Sequence, residues 1–182
     1  TVLTAQLPTY AELHLGGGST LYLFCFVLFS VGTGVGSLLC EKLSRRTVEI
    51  GLVPLGALGM TVFCADLYFA QPGLATSSGL TVREFVAAGH WRIIADLTLI
   101  GLFAGLFIVP LFALVQSRTP KEELSRVISG LNIQNAFFIV TASILSIALQ
   151  MEQVDVLGLV IPLPGMGIPE LFLALGIANA LV

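Results

Sequence analysis

Three amides interrupt one of the most apolar stretches of the chain: Asn132, Gln134 and Asn135 stand among Leu131, Ile133, Ala136, Phe137 and Phe138. At about 100° per residue on a helix, Asn132 and Asn135 lie about 60° apart on one face, while Gln134 points away. Amides at the depth of a hydrocarbon layer cost free energy unless they face protein or water. The pair can therefore line a cavity and hold a polar head group. Equally, it can hydrogen-bond to a neighbouring helix, a contact worth about 0.6 to 2 kcal/mol in membranes. Gln6, just before Pro8 and Tyr10, is a second cavity candidate with the same chemistry. Pro110 either kinks its segment or breaks it so that freed carbonyls face a pathway.

Charged groups crowd into one short segment, Glu41, Lys42, Arg45 and Arg46. A carboxylate with guanidiniums about one helical turn further on can latch two helix ends together. The same residues also serve as ordinary cytoplasmic charges, so both readings stand. Catalysis has no support, because no paired carboxylates and no nucleophile with a base appear at workable spacing. Cys25, Cys40 and Cys64 lie in or at the end of apolar runs without CxxC or Cys/His spacing and read as small packing residues. His14 and His90 are isolated. No enzyme activity, cofactor or metal is expected. Eight Lys and Arg form no sustained basic run and the net charge is −3, so no nucleic-acid partner is expected either.

The elements that must position these residues follow from composition. Charged residues are 10% of the 182-residue chain, against about 25% in a soluble domain, and hydrophobic residues are 56%. Mean hydropathy is +0.98. That is too little charge to cover a soluble surface. A bilayer core about 30 Å thick takes roughly 20 apolar residues of helix, and the stretches 21–40, 48–67, 97–115 and 127–149 meet that length. A further span begins near 167 and is cut at 182, and 1–11 reads as the tail of an earlier one. Both ends look cut, and no signal-peptide pattern opens the chain. The second stretch carries only Glu49 and Asp66, near its ends, and the other three carry no charge. With nothing ionisable deep in a complete span, no proton carrier or sodium site is expected. The fold expected is all-α, a polytopic membrane helix bundle.

Lys42, Arg45, Arg46, Arg118, Lys121 and Arg126 fall in alternate connections, and only Arg83 and Arg92 fall in the others. Cytoplasmic loops carry the excess of Lys and Arg. This places 41–47 and 116–126 inside and 12–20, 68–96 and 150–168 outside. Trp91 suits a ring at the headgroup level of the outer connection. Gly32 with Gly36, and Gly101 with Gly105, have the GxxxG spacing that lets helix backbones approach closely in lipid. Such faces serve tight packing, sliding during a conformational cycle, or both.

Ser37, Glu41, Arg45 and Arg46 reproduce a loop pattern of a small residue, an acid four positions later and a basic pair. This resembles the cytoplasmic loop motif of the major facilitator superfamily, in the weaker form found after the eighth helix. Serines stand for the usual glycines and glutamate for the usual aspartate. Further segments, Leu7-Pro8-Thr9-Tyr10, Gly36-Ser37-Leu38-Leu39-Cys40-Glu41, Phe107-Ile108-Val109-Pro110-Leu111 and Asn132-Ile133-Gln134-Asn135-Ala136, resemble the lysophospholipid transporter branch. That branch includes bacterial proteins fused to a phospholipid acyltransferase. The resemblance implies a partial C-terminal half of a twelve-helix transporter, from the end of helix seven to the start of helix twelve, in the bacterial inner membrane. It implies membrane lipid, the missing N-terminal six-helix half and a fused acyltransferase domain as partners. It also implies a cytoplasmic gate at Glu41, Arg45 and Arg46. The residues alone equally suit a drug-efflux transporter, and a non-transporting membrane scaffold of an acyltransferase fusion is the alternative of another class.

Overall fold

The computed structural model describes residues 2–44, 51–70, 79–151, 153–156, 159–162 and 165–180. Its elements are α1 (Val2–Leu13), α2 (Ser19–Leu43), α3 (Leu52–Phe69), α4 (Val82–Ala87), α5 (Trp91–Arg118), α6 (Leu124–Gln150), β1 (Gln153–Val156), β2 (Leu159–Pro162) and α7 (Ile168–Ala180). Helices α2, α3, α5 and α6 have 25, 18, 28 and 27 residues and are apolar enough to cross a membrane. At about 1.5 Å per residue, the shortest of them reaches about 27 Å and the others exceed the thickness of a hydrocarbon core.

Helix α2 shows why this bundle needs lipid. One face carries the buried Leu21, Cys25, Gly32, Gly36 and Cys40. Leu23, Val27, Val31, Val35 and Leu38, spaced three and four apart on another face, are large, apolar and exposed. A helix in water would place polar residues there, whereas acyl chains accept the aliphatic stripe at no cost.

Glycines set how the core closes. A Cβ on Gly32 would strike the carbonyl oxygen of Thr98, and one on Gly36 that of Leu102. From the other side, a Cβ on Gly101 would strike the Phe29 carbonyl oxygen, and one on Gly105 would come within 2.6 Å of the Thr33 carbonyl oxygen. The two GxxxG pairs therefore meet each other, backbone on backbone, and residue numbers rise together along the contact, so α2 and α5 run parallel. Gly56 and Gly59 seat α3 against Phe103 and Phe107 of α5 in the antiparallel sense, and Phe63 stacks on Phe103 at 5.7 Å. Helix α7 packs antiparallel on α3, where Thr61 Oγ1 donates to the Gly176 carbonyl at 3.2 Å.

The α1–α2, α3–α5 and α6–α7 connections gather at one end of the bundle. The N–H groups of Gly79 and Leu80 both donate to the Gly16 carbonyl at 2.8 Å, and Gly16 and Gly79 hold φ of 69° and 99° there, values that favour glycine. Thr81 caps α4 reciprocally with Glu84, whose carboxylate accepts from the Thr81 N–H at 2.9 Å and its hydroxyl at 2.8 Å. These bonds hold the Glu84 carboxyl below its ordinary value. His14 stacks on Tyr10 at 5.6 Å. Burial holds its imidazole below the usual value, against an opposing pull from Glu170 of α7. We call this the hairpin end, because β1 and β2 pair antiparallel beside it, Gln153 opposite Pro162 and Val156 opposite Leu159.

Three features depart from the expected elements. The hairpin lies in a segment expected to be a plain connection. Helix α5 begins at Trp91 rather than near 97, which carries Arg92 and Asp96 into the helix, with Trp91 61% exposed at its head. The helix also runs through Pro110 without a break, the proline ring being buried. Proline lacks the N–H that would meet the Leu106 carbonyl, and that loss is absorbed within one continuous helix.

Candidate functional site

Helix α6 stands apart from the rest. Its only buried residue is Ser146, and it touches α1 and α7 alone among the helices with more than marginal contact. A side of α6 bearing Asn135, Phe138, Ile139 and Ala142 faces α2, α3, α5 and α7 across a gap. That gap is a cavity of about 370 Å³, walled by residues such as Phe29, Met60, Ile100 and Leu175. A second hollow of about 190 Å³ continues along α6 and α7 toward Leu149 and Leu171, sharing Val2, Ala142 and Leu175 with the first.

Two amides interrupt this apolar surface. Asn135 lines it from α6 and Asn179 from α7. Asn179 Nδ2 donates to the Ala57 carbonyl at 2.7 Å and to Thr61 Oγ1 at 3.1 Å. Its N–H groups are thus committed to α3, and its carbonyl oxygen is the part left to meet a ligand donor. The cavity matches the general pattern of a ligand site, mostly apolar with a few placed polar groups and roughly 300 to 1,000 Å³ in volume.

Asn132 and Asn135, paired on one face by helical spacing, part company here. Asn135 reaches the cavity, whereas Asn132 is exposed and outside its lining. Gln6 is also outside the lining; its Nε2 donates to Ser146 Oγ at 3.0 Å and ties α1 to α6. Glu41 is exposed in the last turn of α2, at the end opposite the hairpin, and Arg45 and Arg46 lie outside the described residues. Asn179 escaped the sequence reading although it is the single amide of α7.

The charges that do meet are elsewhere. Arg92 of α5 grips Asp66 of α3, Nε to Oδ2 at 2.9 Å and Nη2 to Oδ1, at the hairpin end. This is the salt bridge found among the described residues. Asp96, one turn after Arg92, is 2% exposed. Sequence reading left it in a connection because the uncharged run begins at Leu97.

No protein family, curated protein or solved structure matches this chain. Four apolar helices of membrane-crossing length, packed through glycine faces and apolar on their outer surfaces, define the chain as a multi-pass α-helical membrane protein.

Proposed function

We propose that this chain is the C-terminal part of a twelve-helix secondary transporter that moves lysophospholipid by alternating access in the bacterial inner membrane. The observation that carries the reading is the cavity beside α6, a mostly apolar space whose polar lining among the described residues is Asn135, Asn179 and Thr4, and which continues into a second hollow. Its shape suits an amphiphile. A head group would meet Asn135 and the Asn179 oxygen, which has no hydrogen-bond partner among the described residues and can accept from an ammonium such as that of ethanolamine. The acyl chain would lie along α6 and α7. A sugar or amino acid would leave most of the lining without a partner of matching polarity.

The weak attachment of α6 supports the moving part of the cycle, because a helix held by few contacts can shift against a rigid core at low cost. The core α2, α3, α5 and α7, closed by glycine contacts, is the rigid member. The N-terminal six-helix half of such a transporter would supply the other wall, and Glu41 with Arg45 and Arg46 would form the gate at the end opposite the hairpin. The cation asymmetry of the connections supports that end as cytoplasmic.

Photo-crosslinking tests occupancy directly. A photoreactive phenylalanine at Phe138, in the cavity lining, is expected to capture labelled lysophosphatidylethanolamine, and unlabelled lipid should compete it away. At Phe137, exposed but outside the lining, capture should be weaker and not competed. Equal, uncompeted capture at both positions means ordinary contact with bilayer lipid and sinks the reading. Competition by a cationic drug, with none by the lysophospholipid, assigns the cavity to efflux instead.

A further inference from the structure

Asp96 is a buried charge-bearing group that neither the cavity nor the glycine packing employs. It sits in the second turn of α5, and its Oδ2 has no hydrogen-bond partner among the described residues. Ile93, Leu97 and Ile100, its neighbours on the same helix, belong to the apolar cluster that also takes in Tyr10, Leu67, Phe85 and Phe172. A bare carboxylate in such surroundings is expensive, and intramembrane carboxyls that persist tend to have a partner and a function.

The groups around it limit how its charge can be handled. Arg92 precedes it by four residues on the same helical face and acts on it electrostatically, but both of its described bonds go to Asp66. Asp66 of α3 is within side-chain hydrogen-bond reach of Asp96. Two carboxyls can make that bond only when one carries a proton, since two carboxylates only accept and repel. Tyr10 of α1 and Cys64 of α3 lie within electrostatic reach of Asp96, and the Tyr10 hydroxyl is also buried without a partner. Cys25 of α2 and His14 flank Tyr10 in turn, with Glu170 of α7 acting on His14. From α4, Phe85 enters the same cluster with His90 stacked on it at 4.8 Å.

We infer that Asp96 is a proton-binding site in which Asp66 shares the proton and Arg92 holds the partner carboxylate. Loading transfers one proton from water at the hairpin end to Asp96. The new O–H donates to the Asp66 carboxylate, which stays paired with Arg92, and the trio is then neutral overall. Releasing the proton to the same water, by way of the partly exposed Asp66, leaves two carboxylates against one guanidinium. Their repulsion loosens the contact of α3 with α5 at that end. The proton is thus a ligand that tightens one end of the bundle, and the half-exposed salt bridge is its port. If the transport reading holds, this proton supplies the cycle with a coupling ion. The site itself rests on the burial of Asp96, its unpartnered Oδ2 and the Asp66–Arg92 pair beside it, not on the transport reading.

Infrared difference spectra of the intact protein in lipid vesicles, stepped between alkaline and acidic pH, test the site independently of cargo. The expected result is a neutral-carboxyl carbonyl band that appears on acidification, vanishes in Asp96→Asn and titrates at a displaced midpoint in Asp66→Asn. Asp96→Glu should retain a band of altered frequency. Should Asp96→Asn fail to fold, an Asp96→Glu band identical to wild type overturns the proposal just as a band surviving in Asp96→Asn would. Spin labels at Phe69 and Trp91, both exposed near this end, should approach each other on acidification in the wild type and stay fixed in Asp96→Asn. His14 titration adds no carboxyl band, so it cannot imitate the result. A band that behaves as expected in a protein that moves no lysophospholipid would refute the transport reading and leave the proton site standing.

Discussion

Gly36→Leu is expected to separate α2 from α5 and to lower the thermal unfolding transition of the detergent-solubilised protein further than any single surface change. The cause is geometric. At Gly36 the first atom of any side chain would run into the Leu102 carbonyl, and at Gly32 into that of Thr98, both of them helix backbone. Overpacking costs about 1–3 kcal/mol where side chains can give way, and a helix backbone yields less readily, so the upper part of that range or beyond is expected. Lipid does not soften the penalty, because helix association there relies on close contact rather than on hydrophobic expulsion from water. The neighbouring Gly34 is the internal control, since a Cβ there would meet nothing within 4 Å. Gly34→Ala should leave the transition unchanged or raise it slightly, because alanine favours helix over glycine by about 1 kcal/mol. A Gly36→Leu protein that unfolds like the wild type would mean that α2 and α5 do not meet through these faces.

Asn135→Leu carries the largest expected effect on activity. The residue is exposed on α6, a helix that contributes only Ser146 to the buried interior, so the substitution should leave the fold intact. It removes an amide from a cavity that has only one other. A hydrogen bond to a charged group is worth about 1.5–3 kcal/mol, so flux at subsaturating lysophospholipid should fall about ten- to a hundred-fold. Asn132→Leu should have little effect, because Asn132 lies outside the cavity lining. Equal losses from the two variants would show that the amides act through something other than this cavity.

That contrast marks where sequence reasoning stops. Apolar length sufficed to locate four membrane-crossing stretches, and the spacing of Gly32 with Gly36 and of Gly101 with Gly105 announced close packing. Which glycine face meets which was not legible. In water an amphipathic stripe reveals the buried side of a helix; in lipid both sides of α2 are apolar, so helix rotation leaves no trace in composition. Asn132 and Asn135 could be paired by angle, yet only the placement of the helices around α6 decides which of them faces a cavity. Asn179 was missed because its role depends on Ala57 and Thr61, more than a hundred residues earlier in the chain.

Asp96 illustrates a different loss. A search for uncharged runs starts the span at Leu97 and leaves Asp96 in the connection. The helix in fact begins at Trp91, and the spacing of Arg92 and Asp96, four apart between isoleucine-rich turns, is a helical signature that the hydropathy boundary overrode. The two-stranded hairpin was hidden because its segment carries Gly158, Pro162, Pro164 and Gly165 and so reads as a connection. The gate candidate Glu41 is exposed where α2 ends, and its expected guanidinium partners, Arg45 and Arg46, fall outside the described residues.

A mostly apolar cavity whose polar lining is two amides and the Thr4 hydroxyl, beside a loosely held helix, is the basis for reading this membrane protein as a carrier of amphiphiles. Reconstitution of the intact protein into vesicles with labelled lysophosphatidylethanolamine on one side measures that most directly. Protein-dependent appearance of the label on the other side is expected, suppressed by Asn135→Leu and spared by Asn132→Leu. Movement no faster than in protein-free vesicles, with the protein folded and inserted, would contradict it.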